Sequence, residues 1–218
     1  MQTIHNLIIL DESGSMSRIR DMAVSGANET LQTIRAAAKD HPELDQHVTF
    51  VAFNSRETRT ILDDAPIGEA KDIAPEDYRP DCCTPLYDAM GFSISALIPK
   101  VGKGDAVLVT IITDGLENAS REFDRELIKT YVEGLRQKGW VFTYMGANQD
   151  VEKVAMSISI RNHISWNADA QGTEVMFQRD SRSRSRFFNR MASAIRDKDD
   201  ATAADAAINF QESYFEEE

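Results

Sequence analysis

Asp11, Ser13 and Ser15 stand at alternate positions in Asp11-Glu12-Ser13-Gly14-Ser15-Met16, directly after the apolar run Ile4–Leu10. One carboxylate and two hydroxyls, with no thiol or imidazole among them, are oxygen donors suited to a hard divalent cation. Mg²⁺, Mn²⁺ or Ca²⁺ fits such a set better than Zn²⁺. An apolar run that stops abruptly at these residues reads as a buried strand carrying ligands to the C-terminal edge of a sheet, where open α/β sheets bind. On an extended loop, Ser13 and Ser15 face the same side, and Gly14 lets the backbone turn between them. Met16 then caps the loop against the core.

Two later stretches carry matching chemistry. Thr84 lies in Asp81-Cys82-Cys83-Thr84-Pro85-Leu86-Tyr87-Asp88-Ala89, and Asp114 in Ile111-Ile112-Thr113-Asp114-Gly115-Leu116-Glu117-Asn118. In this order, the three stretches resemble the metal-ion-dependent adhesion site of von Willebrand factor type A domains. Asp11, Ser13 and Ser15 match the family's Asp-x-Ser-x-Ser; Thr84 matches the Thr-Pro-Leu-Tyr-Asp-Ala stretch of many bacterial members; Asp114 matches Thr-Asp-Gly-x-Glu-Asn. The resemblance implies a metal site of Asp11, Ser13, Ser15, Thr84 and Asp114. Three hydroxyls would be neutral ligands. With one or both carboxylates acting through bound water, the ion would stay electrophilic and take an Asp or Glu of a partner protein as its last ligand. Few protein ligands and one open position rank Mg²⁺ first, Mn²⁺ next and Ca²⁺ third. Taken singly, the same residues are ordinary turn and cap formers, and Thr84 before Pro85 could cap a helix. Among the neighbouring acids, Asp81 and Asp88 are open to either a supporting or a solvated role, and Glu12 and Glu117 read as solvated.

The elements that must position these residues alternate between strand and helix. Strands are expected near Ile4–Leu10, His47–Asn54, Thr58–Asp63, Ala106–Thr113, Val141–Gly146 and His163–Trp166. Helices are expected near Ile19–Ala38, Pro85–Ile98, Arg121–Gln137, Val151–Ser157 and Thr173–Ile195. Pro85 suits a first helical turn, Ser120 and Asp150 suit N-caps, and Gly139 suits a helix stop. The pattern predicts an α/β, doubly wound (Rossmann-like), mostly parallel six-stranded sheet with helices on both faces. Ile4–Leu10 and Ala106–Thr113 are the most apolar strands and are expected at its centre. Thr58–Asp63, reached by a short polar turn, is expected as an antiparallel edge strand. Residues 1–198 form the von Willebrand factor type A-like domain on this reading, and 199–218 an acidic C-terminal segment, helical or partly disordered.

A chain of 218 residues with 42% hydrophobic content suffices for one substantial core. The net charge of −12 argues against nucleic acid and anionic membrane as partners. No segment reads as a membrane span or signal peptide, so a cytoplasmic location is expected. Adjacent Cys82 and Cys83 read as free thiols, since neighbouring cysteines close a disulfide only under strain. His5, His41, His47 and His163 are scattered without ligand spacing and read as packing or surface residues. Arg179, Arg182, Arg184, Arg186 and Arg190 on the last long helix read as a solvated face or a partner-binding patch.

The leading function is a non-catalytic, metal-dependent protein-binding module. One alternative is a Mg²⁺-dependent phosphoryl-transfer or hydrolytic enzyme using Asp11. Such an enzyme generally needs a second carboxylate two positions on, where Ser13 stands, and a charge-balancing Lys. No Gly-x-Ser-x-Gly elbow occurs for serine hydrolysis. The other alternative is an adaptor subunit of an ATPase- or chelatase-type complex; with no Gly-rich phosphate loop in this chain, its energy would come from another subunit.

Overall fold

The computed structural model describes residues 2–148, 150–197 and 202–216. Strands β1 (Gln2–Asp11), β2 (Leu44–Phe53), β3 (Thr58–Pro66), β4 (Ala106–Thr113), β5 (Trp140–Ala147) and β6 (Asn162–Trp166) form one sheet in the order β3-β2-β1-β4-β5-β6. β3 is antiparallel to β2, and the remaining neighbours are parallel. Helices are α1 (Arg20–Asp40), α2 (Leu86–Leu97), α3 (Arg125–Arg136), α4 (Val151–Ser157), α5 (Ala170–Asp197) and α6 (Ala203–Ile208). This is the doubly wound α/β architecture that the alternation of apolar runs predicts.

Burial on both faces explains why β1 and β4 read as unbroken apolar runs. In β1, Ile8 and Leu10 pack with α1, α5 and α6, whereas Leu7 and Ile9 pack with α2, α3 and α4. Every residue of β4 is buried. Close approach of α1 to α5 depends on Gly26, where a Cβ would lie 1.9 Å from the ring of Phe177.

Two local expectations need correction. Asp124, not Ser120, caps α3 by accepting from the Leu127 amide at 2.8 Å. The helix starts late because the Asp88 carboxylate accepts from the amides of Arg121, Glu122 and Phe123, which holds those residues in a loop. Asp150 does cap α4, and α3 ends before Gly139, which has a φ of +86°. The histidines are not all scattered: parallel register places His5 of β1 directly beside His47 of β2.

α5 also departs from a purely solvated arginine face. Arg184 is fully buried, with Nη2 donating to Thr110 Oγ1 at 2.7 Å and to Asp180 Oδ2 at 3.1 Å, and Nη1 donating to Asn6 Oδ1 at 3.2 Å. Tyr214 Oη donates to the other oxygen of Asp180 at 2.9 Å. Phe177, Phe187, Phe188 and Met191 supply the apolar part of the same helix face. The division between residues 198 and 199 falls outside the described residues. Beyond it, α6 with Phe210, Tyr214 and Phe215 packs into the α1/α5 side of the core.

Breaking a buried pair leaves an uncompensated charge, so Arg184→Ala is expected to lower unfolding free energy by about 3–5 kcal/mol. Urea denaturation measures this, and Asp180→Leu with Arg184→Met is expected to recover a large part of the loss. A single variant as stable as the parent would show that the network contributes nothing.

Candidate metal centre

Strand order reverses between β1 and β4. The helix after β1 covers one face and the helix after β4 the other, which opens a crevice beyond their C-terminal ends. Asp11 is the last residue of β1, and Asp114 follows β4 immediately. Both are buried, at 0% and 2% exposure.

The loop after β1 turns its donors toward the crevice. The Ser13 amide donates to Asp11 Oδ1 at 2.7 Å, and the Ser13 and Ser15 hydroxyls lie 3.2 Å apart. Ser15 Oγ in turn donates to Asp114 Oδ1 at 2.5 Å. Asp11, Ser13, Ser15 and Asp114 are thus linked by direct contacts, although Asp11 and Asp114 are separated by about a hundred positions. Thr84 reaches the same place through the turn after β4. A Cβ built on Gly115 would stand 3.4 Å from Thr84 Oγ1 and 3.8 Å from Ser15 Oγ. A methyl group at Gly115 would be in van der Waals contact with both hydroxyls, so the two line the same side of the crevice. Ser13 and Thr84 are buried while Ser15 is exposed, so the cluster opens to solvent on the Ser15 side.

Loop positions are fixed by backbone bonds. Gly14 N donates to Cys82 O at 3.0 Å, and Asp81 N to Glu12 O at 2.9 Å, which lays the segment before Thr84 against the segment after Asp11. The Thr84 amide donates to Asn118 Oδ1 at 2.9 Å, and Asn118 N returns a bond to Thr84 O at 3.1 Å. Pro85 is the cap residue of α2, and the first-turn amides of Tyr87 and Asp88 donate to Glu117 Oε2 and Ser120 Oγ, at 3.0 Å each, rather than to the Thr84 hydroxyl.

Burial pushes the Asp11 carboxyl up to about 6, against the opposing effect of hydrogen bonds from Thr113 and Ser13; the Asp114 charge adds to the rise. Two buried carboxylates in one crevice form a negative centre that a dication would compensate.

No family model and no curated protein matches this sequence. Solved structures do match in fold. A von Willebrand factor type A protein from Catenulispora acidiphila is 14% identical with a TM-score of 0.58, over 84% of this chain and 43% of that one. The SpRpn10 VWA domain is 10% identical with a TM-score of 0.58, over 80% of this chain and 93% of that one. The pilus adhesin SpaC from Lactobacillus rhamnosus GG in an open conformation is 12% identical with a TM-score of 0.63, over 86% of this chain and 30% of that one. The chain has the von Willebrand factor type A (VWA) fold. It spans less than half the length of the Catenulispora protein and less than a third of SpaC.

Several residues that shape this VWA crevice are absent from the sequence reading. Thr113 Oγ1 donates to Asp11 Oδ2 at 2.6 Å, a contact that neither its place at the strand end nor its place in the Thr-Asp-Gly-x-Glu-Asn match foretells. Tyr78 is fully buried, and its hydroxyl donates to Asp11 O at 2.5 Å from 67 positions away. Arg18 Nη2 lies 3.2 Å from Asp114 Oδ2, with its side chain half exposed. Its position three residues after Ser15 was the available signal.

Glu12 and Glu117 are not solvated. Glu12 is buried, pairs with Arg59 at 2.6 Å and accepts from the Arg79 amide. Glu117 accepts from the amides of Tyr87, Ala119 and Ser120 and from the Ser120 hydroxyl. Both carboxylates brace the loops that carry Thr84 and Asp114. Asp88 does the same for residues 121–123, while Asp81 is half exposed and pairs with Arg56 at 2.7 Å. Cys82 and Cys83 are free and exposed, and Cys82 adopts a φ of +62°.

Removing the Tyr78 hydroxyl leaves the buried Asp11 carbonyl short of a donor. Tyr78→Phe is expected to lower stability by about 1–3 kcal/mol, measured by thermal or urea denaturation. An unchanged midpoint would show that this bond does not hold the strand end.

Proposed function

We propose that the protein is a non-catalytic, metal-dependent protein-binding module. One dication, Mg²⁺ ahead of Mn²⁺ and Ca²⁺, would be held by Asp11, Ser13, Ser15, Thr84 and Asp114. The observation that carries this reading is the convergence of two buried carboxylates with the Ser13 and Ser15 hydroxyls, open to solvent only at Ser15. The donor set is oxygen alone, which fits a hard cation. When bound, the ion supplies an electrophilic position that a carboxylate from a partner can complete. Thr113 and the Ser13 amide orient Asp11, and Ser15 orients Asp114.

The rim suits a protein surface. Leu116 is 55% exposed immediately beyond Asp114 and Gly115, and Ser15, Cys82 and Cys83 are exposed beside it. Long-range repulsion between an acidic chain and an acidic partner makes the ion the element that decides docking. The fold neighbours include a pilus adhesin and a minor pilin, which favours adhesion-type or adaptor work, alone or within a larger complex. Two exposed free thiols suit a reducing compartment such as the cytoplasm. An Asp11 nucleophile is disfavoured because Ser13 stands where such enzymes generally carry a second carboxylate.

Calorimetric titration with Mg²⁺ tests the site: one ion is expected to bind, with binding lost in Asp11→Ala and in Asp114→Ala and weakened in Ser15→Ala. Unchanged affinity in Asp11→Ala would end the proposal. Arg18→Ala removes a competing cation from Asp114 and is expected to tighten Mg²⁺ binding by about 2- to 5-fold, the scale of an exposed ion pair. An aryl phosphate assayed with Mg²⁺ is expected to show no turnover. Robust turnover lost in Asp11→Asn would instead establish the enzyme reading.

A further inference from the structure

A second polar cluster lies toward the other end of the sheet. His5 is six residues before Asp11 on β1, about 20 Å away at the rise of a strand. His5 Nδ1 is 2.7 Å from Asp64 Oδ1, and His47 Nδ1 is 3.6 Å from the same oxygen. The three residues offer ligand atoms that all lie within 4.8 Å of one another. We propose that His5, His47 and Asp64 form a binding site for a borderline-soft transition-series dication, Zn²⁺ foremost, separate from the Asp11–Asp114 site and independent of its reading.

Ring-nitrogen partners point to an ion. His5 Nε2 faces Asp105 Oδ2 at 3.4 Å, and His47 Nε2 faces Asp45 Oδ2 at 3.3 Å. Each imidazole thus directs one nitrogen at an outer carboxylate and the other at Asp64, whose backbone carbonyl also lies 2.9 Å from His47 Nδ1. A neutral imidazole has one N–H and one lone pair, so with acceptors at both nitrogens the lone pair meets another lone pair. A cation at the Nδ1 side removes that conflict at His5, and at His47 it takes the place of the contact between Nδ1 and the Asp64 carbonyl. Carboxylates on the far nitrogens are the usual support for metal-binding histidines, since they fix the tautomer and raise ligand basicity.

Backbone geometry serves the same end. Asp64 has a φ of +49°, and the β2–β3 pairing loses regular register around Val48 and Phe50. Bulges re-aim side chains, and a non-glycine residue in the left-handed region is costly unless held there. Here the irregularity turns Asp64 toward His5, with the Asp64 amide anchored on Thr49 Oγ1 at 3.0 Å. With Zn–ligand bonds of about 2.0 Å, tetrahedral ligand atoms lie about 3.3 Å apart. The two Asp64–histidine separations bracket that value. Two imidazoles and one carboxylate leave a fourth position for water. The His5 side chain is nearly buried, at 4% exposure, while those of His47 and Asp64, at 22% and 16%, leave an entry path. A bound ion would clamp edge strand β3 to β2 and β1.

The test is titration of untagged protein with Zn²⁺ in excess Mg²⁺, in a Cys82→Ser/Cys83→Ser background that removes the exposed thiols as competitors. One Zn²⁺ is expected to bind and raise the thermal midpoint. Co²⁺ is expected to give the visible absorption of a low-symmetry nitrogen/oxygen site. His47→Ala should lose binding, and Asp45→Asn should weaken it by about 10- to 100-fold, while His41→Gln leaves it unchanged. If His47→Ala proves unfolded, loss of the Co²⁺ spectrum in folded Asp64→Asn serves in its place. Absence of stoichiometric Zn²⁺ binding in the parent, or unchanged binding in folded His47→Ala and Asp64→Asn, would overturn the site.

Discussion

Two buried carboxylates of like sign, Asp11 and Asp114, meet at the C-terminal ends of neighbouring parallel strands, and the upper edge of the molecule is built around holding them there. Burying an ionised carboxylate is costly unless its oxygens are bonded and its charge is met. The fold supplies bonds first: Thr113 and the Ser13 amide to Asp11, Ser15 and Arg18 to Asp114. It then fixes the segments behind them, with Tyr78 on the Asp11 carbonyl, Glu12 on Arg59 and the Arg79 amide, and Glu117 on the turn that follows Asp114. Neither loop can relax away from the other without exposing these groups. Preorganised oxygen donors of this kind are what the proposed cation site requires, whereas the same donors on mobile loops would only make solvated turns.

The parts of this edge legible in the sequence are those that depend on local pattern. β1 and β4 announce themselves because a strand buried on both faces must be apolar throughout, and their polar endings mark where the strands leave the core. Asp11, Ser13 and Ser15 stand out for the same reason, whereas Thr84 and Asp114 are singled out through the resemblance of their stretches to von Willebrand factor type A motifs. What was hidden depends on register and long-range partnership. Thr113 is an unremarkable strand-end threonine until β4 is set beside β1. Glu12 looks like an exposed loop acid until Arg59, 47 positions away, is brought to it. The late start of α3 follows from Asp88 binding three amides more than thirty positions downstream, which outweighs the local preference for a cap at Ser120.

α5 shows how composition misleads when position is not known. Five arginines on one helix suggest a charged surface, because Arg is seldom fully buried unless paired. Here the helix must also cover the sheet, and its inward face combines Phe177, Phe187, Phe188 and Met191 with one arginine. Arg184 is accommodated because Asp180, one turn earlier, neutralises it and Thr110 and Asn6 accept its remaining donors. Arg179 and Arg190 instead lie over the rings of Phe215 and Phe210, so even outer arginines tie the C-terminal segment to the helix.

The two polar clusters share β1, and strand geometry keeps them chemically apart. Positions 5, 7, 9 and 11 alternate onto one face, so His5 and Asp11 are separated along that face by Leu7 and Ile9, both fully buried in hydrocarbon. A polar side chain in the covered middle of the strand needs a buried partner, as Asn6 has in Arg184 and Gln46, whereas toward the ends of the strand donors can face a ligand. The two edges therefore carry independent donor sets, oxygen alone at one and imidazole with carboxylate at the other. Ligand softness discriminates between them: hydroxyls and carboxylates with an open octahedral position suit Mg²⁺, whereas imidazoles draw a later transition metal. The two proposed sites would thus differ in ligand chemistry as well as in place, so that occupancy of one can be read independently of the other.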